Sequence, residues 1–272
     1  MININIPAIV VSNGLAAALS CILIFSKHKR IRMIHFDDYA FYALCLITLI
    51  QAITEALCYI LNGKIYRGGH IIFLCLNILN YSLSAIMALI WVLYVDYKLF
   101  EDFTRIKRRL PFLGIPVCIN LILVFCNLFT PVFFFVTEQN TFARTSIAFL
   151  AFIFTYFYMT YGMVMVLYHE KRLDKYIFMP VMMFLAPLYL GTILQYILYG
   201  ITLIWVCAAF GLTSLYINLQ NEESYLDSLT GLYNRNYLFS FLQREFNKKH
   251  HLSGIMLDLN AFKKINDNYG HL

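Results

Sequence analysis

Charge is what this chain has least of. Only 13% of its 272 residues are Asp, Glu, Lys or Arg, and 61% are hydrophobic. A soluble domain carries about a quarter charged residues, so the balance points to a polytopic membrane protein. Paired cysteines are lacking as well. The seven cysteines all fall inside apolar runs and none forms a C-x-x-C pair, which excludes a disulfide framework and a thiolate metal site. No phosphate-binding loop is present, because Gly231 is not followed by a Gly-Lys-Ser/Thr ending. His169-Glu170 would need a histidine at 173 for a zinc protease, and 173 is leucine. Asp258-x-Asn260 fails as a calcium loop, since Phe262 takes the fifth position and Lys263 the place of the glycine. His250-His251 reads as an exposed loop.

What the chain has in abundance is long uncharged runs. About 20 apolar residues cross a bilayer, and seven such runs are expected: Ile6–Phe25, Tyr39–Leu61, Ile71–Val95, Leu110–Val136, Ser146–Tyr168, Ile177–Tyr199 and Ile201–Asn218. The sixth and seventh are divided only by a tight turn at Gly200. The first has no basic stretch ahead of it and is too long for a signal-peptide core, so it reads as an uncleaved helix.

The basic residues are distributed unevenly. Twelve Lys and Arg fall in the loops after the first, third and fifth runs: Lys27, Lys29, Arg30, Arg32, Lys98, Arg105, Lys107, Arg108, Arg109, Lys171, Arg172 and Lys175. The alternate loops hold Lys64, Arg67 and Arg144. Basic loops stay in the cytoplasm, which puts the N-terminus outside the inner membrane and, after seven crossings, the C-terminus in the cytoplasm. The net charge of +6 therefore belongs to topology and excludes nucleic acid as the partner.

Within the runs, polar side chains are few enough to single out. Gln51 and Glu55 lie four apart on one face of the second helix, and Asn77 and Asn80 lie in the third. An intramembrane carboxylate is costly and marks a candidate site, here a sensor pocket of Gln51, Glu55, Asn77 and Asn80. The same residues could equally bridge helices by hydrogen bonds. Pro116, Pro131 and Pro187 kink or end helices four and six. Leu212, Leu215, Leu219 and Leu226 continue the last helix at a 3-4-7 spacing, as a short dimeric coiled coil or as a plain amphipathic helix end.

Beyond this linker the composition changes. Asn234 is placed to cap a helix through Tyr237, Leu238, Phe241, Leu242 and Phe246. Gly254-Ile-Met-Leu-Asp258 reads as a short buried strand ending in a carboxylate, and Ala261–Asn268 as a second helix. In an open α/β sheet, ligands sit at the carboxyl ends of strands. Asp258 is then placed to hold a metal or phosphate, with the first amides of the next helix at Ala261, Phe262 and Lys263 favouring an anion.

Two motifs carry a resemblance. The run Asp227-Ser-Leu-Thr-Gly-Leu-Tyr-Asn-Arg235, matching D-x-L-T-G-L-x-N-R, and the run from Asp258 to His271, matching D-x-[DN]-x-F-K-x-I-N-D-x-x-G-H, resemble the opening of the GGDEF domain, the diguanylate cyclase family. Asn260 stands where many members have a second aspartate. The sequence stops at Leu272, before the Gly-Gly-Asp/Glu-Glu-Phe hairpin, so the resemblance covers about a quarter of a domain of ordinary size.

The resemblance implies Mg²⁺ or Mn²⁺ held by Asp258 and the backbone of Leu259. It implies nucleotide contacts from Asn266 to the guanine, Lys263 to phosphate, and Phe262 and Ala261. Asp227, Thr230 and Arg235 are expected to fix a turn. The implied reaction joins two GTP molecules into cyclic di-GMP with release of pyrophosphate across a two-fold homodimer. The expected architecture is a multi-pass α-helical membrane bundle of seven transmembrane helices followed by the truncated start of an α/β GGDEF domain. Residues 1–218 form the sensor or anchor in the lipid bilayer, 219–226 a helical linker and 227–272 the partial output domain. The chain by itself is expected to be inactive. The rival expectation is a catalytically dead nucleotide-binding or ligand-sensing membrane protein, with a transporter bearing an incidental tail as a distant third.

Overall fold

The computed structural model describes residues 5–30, 36–173, 178–198, 201–225, 227, 229–247, 252–258, 260, 267 and 270. It divides into two compact units, Met1–Leu219 and Gln220–Leu272. The first is a helical bundle: α1 (Ile6–Arg30), α2 (Phe36–Leu61), α3 (Gly69–Phe100), α4 (Phe103–Cys126), α5 (Phe149–Leu173), α6 (Phe178–Ile197) and α7 (Ile204–Glu223, running to the second unit), with strands β1 (Phe134–Val136) and β2 (Phe142–Arg144) between α4 and α5. The second unit contains α8 (Arg235–Asn247).

Helix α3, the longest at 32 residues, is packed against α2, α4 and α5. Trp91, fully buried, stacks on Phe184 of α6 with ring centroids 4.3 Å apart. Phe41, Leu44, Met159 and Leu188 belong to the same core. The α6–α7 seam is tight enough to require glycine. A Cβ on Gly211 would meet the Phe184 carbonyl oxygen at 2.7 Å, a separation that only backbone movement could relieve. Small residues at helix interfaces allow this kind of backbone approach.

Among the described residues five helices, α1 to α5, are long and apolar enough to cross a bilayer, and Met179–Gln195 within α6 is a shorter apolar helix. Five of the seven expected spans are thus matched by helices of that length among the described residues. Helix α7 gives up apolar length to Asn218, Gln220, Asn221, Glu222 and Glu223 at its end. The Gly200 turn lies outside the described residues.

The expected fourth run, Leu110–Val136, is corrected at both ends. Its helix begins seven residues earlier, because Asp102 caps it by accepting from the Thr104 N–H at 2.8 Å, while Glu101 turns the chain with φ +50°. The Arg105 backbone N–H, foremost, holds the Asp102 carboxyl below the usual aspartate range. The helix then ends at Cys126, ten residues early. Asn127 donates to the Leu123 and Val124 carbonyls (3.1 and 3.0 Å) and accepts from the Phe133 and Phe134 N–H groups, both at 3.1 Å. One amide side chain thus closes a helix end and starts an antiparallel hairpin, with Phe134 opposite Arg144 and Val136 opposite Phe142.

The hairpin docks on the α2–α3 turn. Asn140 donates to the Lys64 carbonyl (2.7 Å), the Gly63 N–H to the Asn140 carbonyl (2.8 Å), and the Phe142 N–H to Asn62 Oδ1 (3.0 Å). Phe133 and Phe134 are fully buried against Ile78, Val124 and Ala151. Pro116 and Pro187 are inside α4 and α6 as expected, whereas Pro131 follows the end of α4.

Of the two uses expected for the leucine stripe, the helix end fits and the coiled coil does not. Leu212, Leu215 and Leu219 are buried in the bundle core, which leaves them unavailable for a coiled-coil seam. Leu226 lies outside the described residues.

Candidate functional site

Two places carry the chemistry-bearing residues, one in each unit. In the second, the run from Asp227 to Arg235 folds into a turn held almost entirely by its own side chains. Asp227 Oδ1 accepts from the Leu229 N–H (3.1 Å), the Thr230 N–H (2.9 Å) and the Thr230 hydroxyl (2.9 Å). These bonds, the Thr230 N–H foremost, hold the Asp227 carboxyl below its usual range, because they favour the charged form. Gly231 takes φ +70°, a left-handed conformation that costs a residue with a Cβ, and its N–H donates to the Asp227 carbonyl at 2.9 Å.

Asn234 completes the turn in two directions. Its Nδ2 donates back to the Ser224 carbonyl (2.7 Å), while Oδ1 accepts from the Asn236 and Tyr237 N–H groups (2.9 and 3.2 Å). The second pair is an N-cap, and α8 begins where the sequence places it. Tyr237 stacks on Tyr233 at 3.7 Å, and the Arg235 guanidinium lies 5.2 Å over the Phe239 ring. Asp227, Thr230 and Arg235 thus build the turn and the helix start.

The second motif is less fully described. The expected strand Gly254–Asp258 is not formed: 252–258 have no regular secondary structure, and Ile255, Met256 and Leu257 are at least 89% exposed. A strand needs a neighbour to satisfy its backbone groups, and no strand among the described residues pairs with this one. Asp258 is exposed. Leu259, Ala261, Phe262, Lys263 and Asn266 lie outside the described residues. Among the described residues no cluster of three His, Cys, Asp or Glu side chains could hold a metal. One solvated carboxylate is not by itself a Mg²⁺ site, which takes one or two carboxylates together with phosphate oxygens.

In the bundle, the four residues of the expected sensor pocket do not share one set of partners. Gln51 donates to Ser84 Oγ (2.8 Å) and to the Asn80 carbonyl (3.1 Å). The Thr54 hydroxyl bonds Asn80 Oδ1 (2.5 Å), and Asn80 Nδ2 lies 3.6 Å from Cys58 Sγ. This is a polar ladder zipping α2 to α3. Asn77 stays on its own helix, donating to the Phe73 carbonyl at 2.8 Å. Glu55 faces the other way, with Asn13 of α1 and Thr202 as its side-chain hydrogen-bonding neighbours and Arg144 as the nearby positive charge. Its Oε2 is buried with no hydrogen-bond partner among the described residues.

A further cluster was not singled out from the sequence. Asp96, fully buried near the end of α3, accepts from Arg105 Nε (3.1 Å) and Arg109 Nη1 (2.6 Å). Arg109 also donates to the Tyr161 hydroxyl, and the Arg105 guanidinium lies 3.6 Å over Phe100. Two of the basic residues read as loop determinants are therefore helical and structural, tying α3, α4 and α5 together. An aspartate directly at the end of an apolar run was the available signal.

Comparison with known proteins bears on the second unit. The family model described as "Diguanylate cyclase, GGDEF domain" matches residues 224–272. Diguanylate cyclase VdcA of Vibrio cholerae is 43% identical over 51 residues, which is 19% of this chain and 15% of that protein. The chain thus spans a small part of the length of this curated relative. No solved structure matches. The matched residues begin at Ser224, whose carbonyl Asn234 binds, so the folded turn and its helix lie within the match. The C-terminal end of this chain carries the sequence of the GGDEF, diguanylate cyclase, domain family.

Proposed function

We propose that this chain is the membrane part and the opening of the output domain of a diguanylate cyclase, an enzyme class that joins two GTP into cyclic di-GMP and pyrophosphate. The observation that carries the reading is the Asp227–Arg235 turn. Its Asp227, Thr230, Asn234 and Arg235 side chains each have a partner, and it falls within the matched residues 224–272. In this reading the helices of the bundle cross the inner membrane with the N-terminus outside and the C-terminus in the cytoplasm. The twelve-to-three distribution of basic residues supports that orientation. Helices α6 and α7, each 20 residues, are then the sixth and seventh crossings.

The division of labour follows the two units. The bundle anchors the protein and senses, residues near 219–226 connect, and the domain opening at 227 handles nucleotide. The resemblance implies Mg²⁺ or Mn²⁺ as cofactor, and Asp258 is the carboxylate that would meet it, with Leu259. Asn266, Lys263, Phe262 and Ala261 are the proposed nucleotide contacts. A reaction between two GTP molecules needs two subunits facing across a two-fold axis, hence a homodimer. These 272 residues contain no Gly-Gly-Asp/Glu-Glu-Phe run, and the chain alone is proposed to make no cyclic di-GMP.

The test is a chimera in which residues 224–272 replace the corresponding segment of Diguanylate cyclase VdcA. The chimera is expected to form cyclic di-GMP from GTP and Mg²⁺. Asp258→Ala is expected to abolish product without changing the far-ultraviolet circular dichroism. A folded chimera that binds GTP and forms no product would favour the rival, a nucleotide-binding protein without catalysis. Product from the 272-residue chain alone, or full activity with Asp258→Ala, would overturn the assignments made here.

A further inference from the structure

The polar group around Glu55 brings a carboxylate together with side chains of two other elements. The Gln51–Thr54–Asn80–Ser84 ladder gives most of its groups a protein partner. At Glu55, one carboxylate oxygen is buried without a partner, in a chain segment long and apolar enough to lie in a bilayer. Around it stand oxygen-bearing side chains from two other elements. Asn13 (3% exposed) donates its Nδ2 to Thr202 Oγ1 at 2.9 Å, and Ser12 Oγ lies 3.3 Å from the same hydroxyl. Asn13 and Thr202 are also hydrogen-bonding neighbours of Glu55 itself. Glu55 and Ser12 are half-buried.

A carboxylate and two hydroxyls make an oxygen-rich, net-negative donor set. Hard monovalent cations and ammonium groups prefer such a set, and a buried carboxylate oxygen requires a proton or a cation opposite it. The Arg144 guanidinium is the nearby protein charge. It is exposed on β2, lies 5.2 Å over Phe152, and is a hydrogen-bonding neighbour of Tyr81, so its own partners are elsewhere.

We infer that Glu55, Ser12 and Thr202, with Asn13 holding Thr202, form a binding site for a small monovalent cation, either a metal ion such as Na⁺ or a primary ammonium group. The site has a built-in consequence. Thr202 precedes α7 by two residues, and Gln195 Oε1 holds the α7 start by accepting from the Leu203 and Ile204 N–H groups (2.8 and 3.2 Å). Occupancy would therefore bear on the helix that runs on to Glu223. The site does not depend on the cyclase reading, because its test measures binding and not product.

The 272-residue chain in detergent would be melted in choline chloride, sodium chloride and methylammonium chloride at equal ionic strength and fixed pH. The expected result is a saturable rise in midpoint in sodium or in methylammonium relative to choline, since a ligand that binds only the folded state stabilises it. Sodium alone identifies a metal-ion site and methylammonium alone an amine site. Glu55→Gln is expected to remove the rise, and Thr202→Val to weaken the half-saturating concentration at least ten-fold. Should Glu55→Gln fail to fold, ²³Na line broadening and [¹⁴C]methylammonium equilibrium dialysis on the wild-type chain, with Thr202→Val as comparison, decide the matter. Equal midpoints in all three salts, a rise that survives Glu55→Gln, or stabilisation that follows pH alone would overturn the site.

Discussion

Replacing Asp96 with alanine is the sharpest test of the packing argument. The carboxylate is fully buried and takes hydrogen bonds from two guanidinium groups, Arg105 at 3.1 Å and Arg109 at 2.6 Å. Removing it leaves two positive charges close together at the junction of α3, α4 and α5. Breaking a buried pair by deleting one partner costs about 3–5 kcal/mol. Here the arginine side chains are 33% and 27% exposed, so solvent relieves part of the penalty and about 3 kcal/mol is expected. For a chain of this size that is a fall in melting midpoint of roughly 6–12 °C.

The assay is tryptophan fluorescence in detergent, because one of the two tryptophans, Trp91, is buried on Phe184 in the same core. Asp96→Asn keeps the shape and one acceptor but loses the charge, and is expected to lose about half as much. Adding Arg105→Gln and Arg109→Gln to Asp96→Asn removes every orphaned charge and should recover most of the loss. A midpoint for Asp96→Ala within about 2 °C of wild type would refute the reasoning. So would a triple variant that loses as much as the sum of its parts.

Other expectations follow from the same geometry. A cytoplasmic reporter fused after Leu272 should be active and an exported one inactive, with the reverse at Met1. An exported C-terminus would overturn the orientation and the output role together. In the Asp227 turn the folded carboxyl sits below the ordinary aspartate value, so its stabilisation is present above that value and lost as pH falls through the lowered one. Amide protection at Thr230 and Leu232 should therefore hold at pH 5 and fail only below about pH 4, the ordinary range; loss by pH 5 would contradict the hydrogen bonds described. Gly231→Ala, at φ +70°, should cost about 1 kcal/mol and raise hydrogen exchange in the same turn. Asn234→Ala should cost about 1 kcal/mol and fray the first turn of α8, read from the Asn236 and Tyr237 amides.

Much of this protein is decided by local rules that can be read along the chain. Apolar runs without charge must become helices whose backbone bonds are internal, and α1, α2, α3 and α5 lie where those runs lie. The Asp227–Arg235 turn is equally local, since Asp227, Thr230, Gly231 and Asn234 bond within ten residues of one another, so sequence spacing alone predicts the geometry. Other features depend on partners far away in the chain, and these only the tertiary structure decided. The hairpin after the fourth helix holds because Asn62 and Lys64 meet it from α2 and its turn. Gln51 and Glu55 share a face by spacing, yet one bonds α3 and the other faces α1 and Thr202, because helices pack on both sides of that face. Arg105 and Arg109 look like loop charges until Asp96 comes within 3.1 Å. Leu212, Leu215 and Leu219 have the spacing of a seam, and whether a stripe meets a second copy or its own bundle is set by which surface lies nearest. Helical period records that a face is apolar; it carries no information about the surface that face will meet.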